Sequence, residues 1–225
     1  INQSFTFAIL ENIEQYLKET EFLNFNDPSF AEYVGEIITL TDPVAQAIKF
    51  YNNVRDRFLY DPYHLDLRPE SLVASKILTK NRAWCVEKAI VFAAGARKLG
   101  IPSRMGYAVV RNHIGVEKLE KYLKRTEIVF HGYVEVFLNN QWIACTPAFD
   151  KRICRISGVP PLEFDGKTDS MFQAYSGEKQ FMEYLHYYGT FDDVPVDLMN
   201  TEMRRYYPHL FDEVWDEKEF SFYHL

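Results

Sequence analysis

The chain is poor in cysteine, poor in positive charge, and without a long apolar run. Cys85, Cys145 and Cys154 are the only cysteines in 225 residues. An odd count with no C-x-x-C spacing excludes a disulfide framework and a cysteine zinc site. A reducing, cytoplasmic home is therefore expected. Basic residues number 25 against 32 acidic ones, a net charge of −7. That balance argues against a nucleic-acid partner, since phosphate binding rests on clustered Lys and Arg. The one basic cluster, "KLEKYLKR" at 118–125, contains a Glu and reads as a solvated helix face. No stretch approaches the ~20 apolar residues that cross a bilayer, and no signal peptide is visible in a sequence that opens on Ile1. Glycine and proline, 10 of each, form no linker or low-complexity tract. One domain over residues 1–225 is expected.

What is present is apolar and aromatic. Hydrophobic residues make up 47% and aromatics 16%, ample for a core. The first eighty residues read as helices. "FAILENIEQYL" carries Leu10, Ile13 and Leu17 on one face. "NDPSFAEYVGEII" and "TDPVAQAIKFYNNVRDRF" both open with Asp-Pro, a cap followed by proline at the first helical position. "SLVASKIL" is a further short helix, and "LYDPYHLDLRP" holds too many breakers to be regular. Next comes an alanine-rich helix that starts at Cys85 and ends at Gly100. A strand follows in "SRMGYAVV", a surface helix in "GVEKLEKYLK" and a hairpin in "FHGYVEVFLNNQWIACTP". Beyond it, "FMEYLHYY" suits one more strand and "VPVDLMNTEMRRYY" a helix. Helices followed by strands predict an α+β fold with an antiparallel sheet.

Cys85 could be a small core residue, or a nucleophile whose thiolate is favoured by the helix N-terminus. A catalytic cysteine needs a base, and the base needs a group that holds its tautomer. Of six histidines, His131 stands at the mouth of the hairpin, where it can face the start of a helix packed on the sheet. His113, ending the preceding strand, is the runner-up. With Asn139-Asn140 as the turn, Tyr133 faces Thr146. His131, Tyr133 and Thr146 then project from one face of the hairpin. Thr146, diagonal to His131, occupies the slot for the third member.

"WCVEKAIVFAAGARKLGIPSR" followed by "HGYVEVFLNNQWIACTP" resembles the transglutaminase-like superfamily. The resemblance covers a core of about residues 45–150, with a helical flank before it and a mixed extension after it. The segments "PLEFDG" and "MEYLHYYGTFDDVP" look similar to bacterial transglutaminase-like proteins of this size. It implies a papain-like α+β core, with Cys85 as nucleophile and His131 as base. The family's acid usually stands in an Asp-Pro after the tryptophan of the second strand. Here that tryptophan is Trp142, and the aligned pair is Thr146-Pro147.

The expected activity is thiol-mediated acyl transfer on a peptide or protein amide, with hydrolysis first and an amine acceptor second. No cofactor follows from it. Asp150 and Asp165 are loop acids that could supply the charge missing at Thr146. Trp84 and Tyr133 are candidate walls of a substrate pocket, and the Cys85 N–H is a candidate oxyanion donor. Two other classes compete. A binding module with a decayed triad would use an aromatic face of Tyr184, Tyr187, Tyr188, Tyr206 and Tyr207. A metal hydrolase on Asp61, His64 and Asp66 lacks a fourth ligand.

Overall fold

A computed structural model describes residues 13–63, 65–113, 117–171 and 182–211. Leu10 and His64, named above, and Phe181, which opens "FMEYLHYY", lie outside them. The Asp-Pro signals start helices as expected, α1 over Pro28–Val34 and α2 over Pro43–Arg57. Asp27 accepts from the Ser29 N–H, and Asp42 from those of Val44 and Ala45. The first helix is shorter than its pattern, giving way at Gly35 to a 3-10 turn, Gly35–Thr39. The segment read as irregular contains a strand after all. Leu59–Tyr60 (β1) pairs in parallel with Arg82–Ala83 (β2), immediately before Trp84. Between them lies α3, Ala74–Ile77.

The centre of the molecule is α4, Cys85–Lys98, buried continuously from Cys85 to Arg97. Alanines and Gly95 keep it slim enough to be covered on all sides. A Cβ at Gly95 would lie 2.0 Å from the ring of Phe50, so α2 rests directly on the helix backbone. On its other side α4 packs against a four-stranded antiparallel sheet, ordered β5-β4-β3-β6. These strands are Ser103–Asn112 (β3), Glu127–Leu138 (β4), Gln141–Cys145 (β5) and Met182–Phe191 (β6). The hairpin register is the expected one, running from Leu138↔Gln141 to Val134↔Cys145. Its turn residues Asn139 and Asn140 both have positive φ, 50° and 65°, as a tight two-residue turn requires.

Two local expectations change. The β4 strand begins at Glu127, so His131 lies within it rather than opening it. A register shift against β3 and a positive φ of 58° at Phe130 kink the strand just before His131. Helix α5, Glu117–Leu123, is no free surface helix, since Leu119 and Leu123 are buried. Cys154 is buried in helix α6, Lys151–Ile156. After β6 comes α7, Val196–Tyr206. Of the proposed aromatic face, Tyr187 is exposed, whereas Tyr207 is buried, donating to the Glu127 carbonyl and accepting from the Val129 N–H. No helix among the described residues is long and apolar enough to cross a membrane.

Candidate active site

Cys85 is the first residue of α4. The chain enters through Trp84, whose backbone N–H is accepted by the Glu87 carboxylate at 3.2 Å, half of a capping box. Glu87 is itself buried and held by the Lys80 ammonium at 2.5 Å. The β4 strand meets this first turn at Gly132. A Cβ there would lie 2.9 Å from the Val86 Cα, so only glycine lets strand and helix touch. Beside this contact the backbone N–H groups of Gly132, Val86 and Cys85 favour the thiolate form of Cys85 against the effect of burial.

His131 is the residue before Gly132, only 2% exposed. Its Nε2 lies 3.3 Å from Thr146 Oγ1, the diagonal contact that the hairpin register implies. The hydroxyl has one proton, directed at the Gly132 carbonyl oxygen 3.4 Å away. It therefore meets Nε2 as an acceptor. The neutral ring then keeps its proton on Nε2 and leaves Nδ1 as the open lone pair. Tyr184 stands edge-on to the ring at 5.7 Å.

The loop acids are engaged elsewhere. Buried Asp150 caps α6, accepting from Arg152 and Ile153, and also takes the Tyr60 N–H at 2.6 Å. Exposed Asp165 holds the Lys167 and Thr168 N–H groups at 2.8 Å. His113 is 44% exposed and lies 3.7 Å from Glu183, on the far pairing of β3 with β6. Asp61 faces Arg82 and the Tyr63 N–H, and Asp66 is held by Arg68 and Ser71.

A narrow cleft of about 30 Å³ adjoins Cys85. Trp84 lines it, with Pro62, Leu65, Leu119, Leu123 and Met203 among the other walls. Tyr133 does not; its ring covers Gly106 and stands edge-on to Tyr184 and Tyr187. The apolar surroundings set the resting protonation. Burial pushes the thiol up to about 11 against the pull of its three N–H donors, and lowers His131 to about 4. No hydrogen bond joins thiol and ring among the described residues. The resting pair is thus neutral, opposite to the thiolate that the helix N-terminus alone suggests.

Two charged side chains here escape sequence reading. Glu87 and Lys88 look like a solvated pair in "CVEKA", yet both are buried. Lys88 Nζ donates to the Arg55 carbonyl oxygen at 2.9 Å, and burial lowers it to about 7. The available signal was the absence of any polar stripe elsewhere in α4, which marks a helix covered on every side.

A cysteine opening a central helix, packed against an antiparallel sheet whose second strand carries a histidine, defines a papain-like α+β core. A family model of the transglutaminase-like superfamily matches residues 31–147, and the chain belongs to that superfamily. The superfamily includes cysteine-dependent acyltransferases and peptidases. A search of curated proteins returns no match.

Proposed function

We propose that the chain is a cysteine-dependent acyl-transfer enzyme that hydrolyses a peptide or side-chain amide. The observation that carries this reading is the junction at Gly132, where the strand bearing His131 touches the first turn of α4 beside Cys85. In the reaction His131 Nδ1 takes the Cys85 proton and Sγ attacks the amide carbonyl carbon. The oxyanion is stabilised by backbone N–H groups of the helix start. Nδ1 returns the proton to the leaving nitrogen as the C–N bond breaks, leaving a thioester. Water, deprotonated by the same nitrogen, then releases the acid and restores the thiol. Thr146 holds the ring in the tautomer this requires. The chain's own groups suffice for these steps, and three free cysteines fit a reducing, cytoplasmic setting.

The closed, neutral pair favours a second reading, a binding module in which the thiol is inert. Iodoacetamide labelling of the folded protein, mapped by mass spectrometry, separates the two. Acyl transfer predicts that Cys85 labels at least tenfold faster than Cys145 and Cys154, and that His131→Ala removes the advantage. Equal, slow labelling of all three assigns the chain to the binding class.

A further inference from the structure

The chain carries a net charge of −7, yet one part of its surface is basic. Helices α5 and α7 bury one side each, with Leu119, Leu123, Met203 and Tyr207. On their other sides, toward the two C-terminal ends, Lys121, Lys124, Arg125, Arg204 and Arg205 are all exposed. The two ends are joined. Arg125 Nε donates to the Tyr206 carbonyl oxygen at 2.9 Å, and His209 Nε2 lies 3.1 Å from the Tyr122 carbonyl oxygen. The Tyr206 ring has the guanidiniums of Arg125 and Arg205 at 5.5 and 4.7 Å from its centre.

Helix ends attract cations because their last carbonyls carry partial negative charge. That accounts for Lys121, Arg204 and Arg205, which stand in last turns, but not for the two residues past α5. Lys124 has φ 54°, in the left-handed region where glycine or asparagine usually ends a helix. A lysine there strains the backbone, and its exposed side chain makes no ion pair among the described residues. Arg125 spends only Nε, on Tyr206; among the described residues its two terminal nitrogens have no hydrogen bond or ion pair. A guanidinium fixed through Nε and open at its fork is preset for a carboxylate. Arg205, by contrast, is already paired with Glu202 at 2.5 Å.

We propose that this surface docks an acidic polypeptide segment, whose carboxylates engage Lys121, Lys124 and the open fork of Arg125. It rests on the reading above only in calling that partner a substrate; the docking claim stands on the charges. A long nucleic acid fits worse, because it would run on over a surface of net negative charge.

The test measures binding to the full chain by fluorescence anisotropy at low salt. The probes are a fluorescein-labelled peptide with several glutamates beside one glutamine, and a copy with every glutamate replaced by glutamine. The acidic peptide should bind at least about tenfold tighter, an advantage that shrinks as added salt screens exposed charges. Equal binding of the two overturns the proposal. Replacing Lys121→Gln and Arg125→Gln together should remove most of the advantage and leave iodoacetamide labelling of Cys85 unchanged. A preference that survives both substitutions lies elsewhere on the molecule and overturns it too. Lys124→Gly should raise the urea unfolding midpoint by relieving the left-handed residue, yet weaken the acidic peptide; undiminished binding would contradict the role given to Lys124. The sequence after Phe211 is itself acidic, "DEVWDEKEF". If the peptide binds only once Asp212, Glu213, Asp216, Glu217 and Glu219 are replaced by their amides, that segment is the occupant and the external partner falls. A long single-stranded RNA that binds more tightly than the peptide would replace the partner as well. Docking in a chain whose Cys85 never takes up an acyl group keeps the surface and removes the enzyme. Acyl transfer with no preference for the acidic peptide does the reverse.

Discussion

A threonine beside a buried imidazole can accept a hydrogen bond but cannot neutralise a charge. That limit accounts for the resting state of the pair. Among the described residues Thr146 is the one hydrogen-bond partner of the His131 ring and no carboxylate opposes burial, which lowers the ring to about 4. A carboxylate at the same place, within ~4–6 Å, favours the protonated ring by about one to three pH units. Thr146→Asp is therefore expected to raise the His131 titration midpoint, read from its ring proton resonances, and to speed Cys85 alkylation near neutral pH. An unmoved midpoint would mean that the Thr146 position does not govern the ring.

The elements meet where side chains are smallest. At Gly132 the strand backbone lies on the helix backbone, and the Val86 Cα that a Cβ would strike cannot rotate away. Overpacking of this kind costs about 1–3 kcal/mol. Gly132→Ala should lower the urea unfolding midpoint accordingly and slow Cys85 alkylation, because the displaced strand withdraws both the Gly132 N–H and His131. A variant as stable and as reactive as the parent would contradict the contact. At this scale the sequence is most informative where geometry is local. The Asn139-Asn140 turn determines the hairpin register, and the register alone brings Thr146 to His131. The Asp-Pro pairs likewise mark the starts of α1 and α2. What escaped depends on partners distant in sequence. The kink at Phe130 arises within the sheet, Tyr207 is buried by β4 residues some eighty positions away, and Lys88 finds its acceptor on α2. Asp150 looked available to His131 because nothing in its neighbourhood announces that it caps α6 and holds Tyr60.

For the whole molecule, buried ionisable groups make stability depend on pH in a defined direction. Lys88 titrates near 7 when folded against 10.5 when unfolded, so between these values the unfolded chain binds the extra proton. Its contribution is fully present above 10.5 and is lost as pH falls through 7. Between pH 7 and about 7.5, before the unfolded thiols ionise toward their pKa of about 8.5 and act in the opposite sense, stability should rise with a slope of at most about 1.4 kcal/mol per pH unit. Lys88→Met should flatten that slope, measured by urea unfolding, whatever it does to the midpoint itself. On the acid side His131 acts in the same sense: its contribution is present above 6.5 and is lost as pH falls to about 4.

The central claim is that the Cys85 sulfur carries the acyl group. It is tested most directly by mixing the folded chain with 4-nitrophenyl acetate, quenching in acid and mapping acetyl adducts by mass spectrometry. The account predicts one acetyl group, on Cys85, formed in a burst and then hydrolysed, and strongly reduced in His131→Ala. Acetylation spread over Cys145, Cys154 and surface lysines with Cys85 unmodified would contradict it.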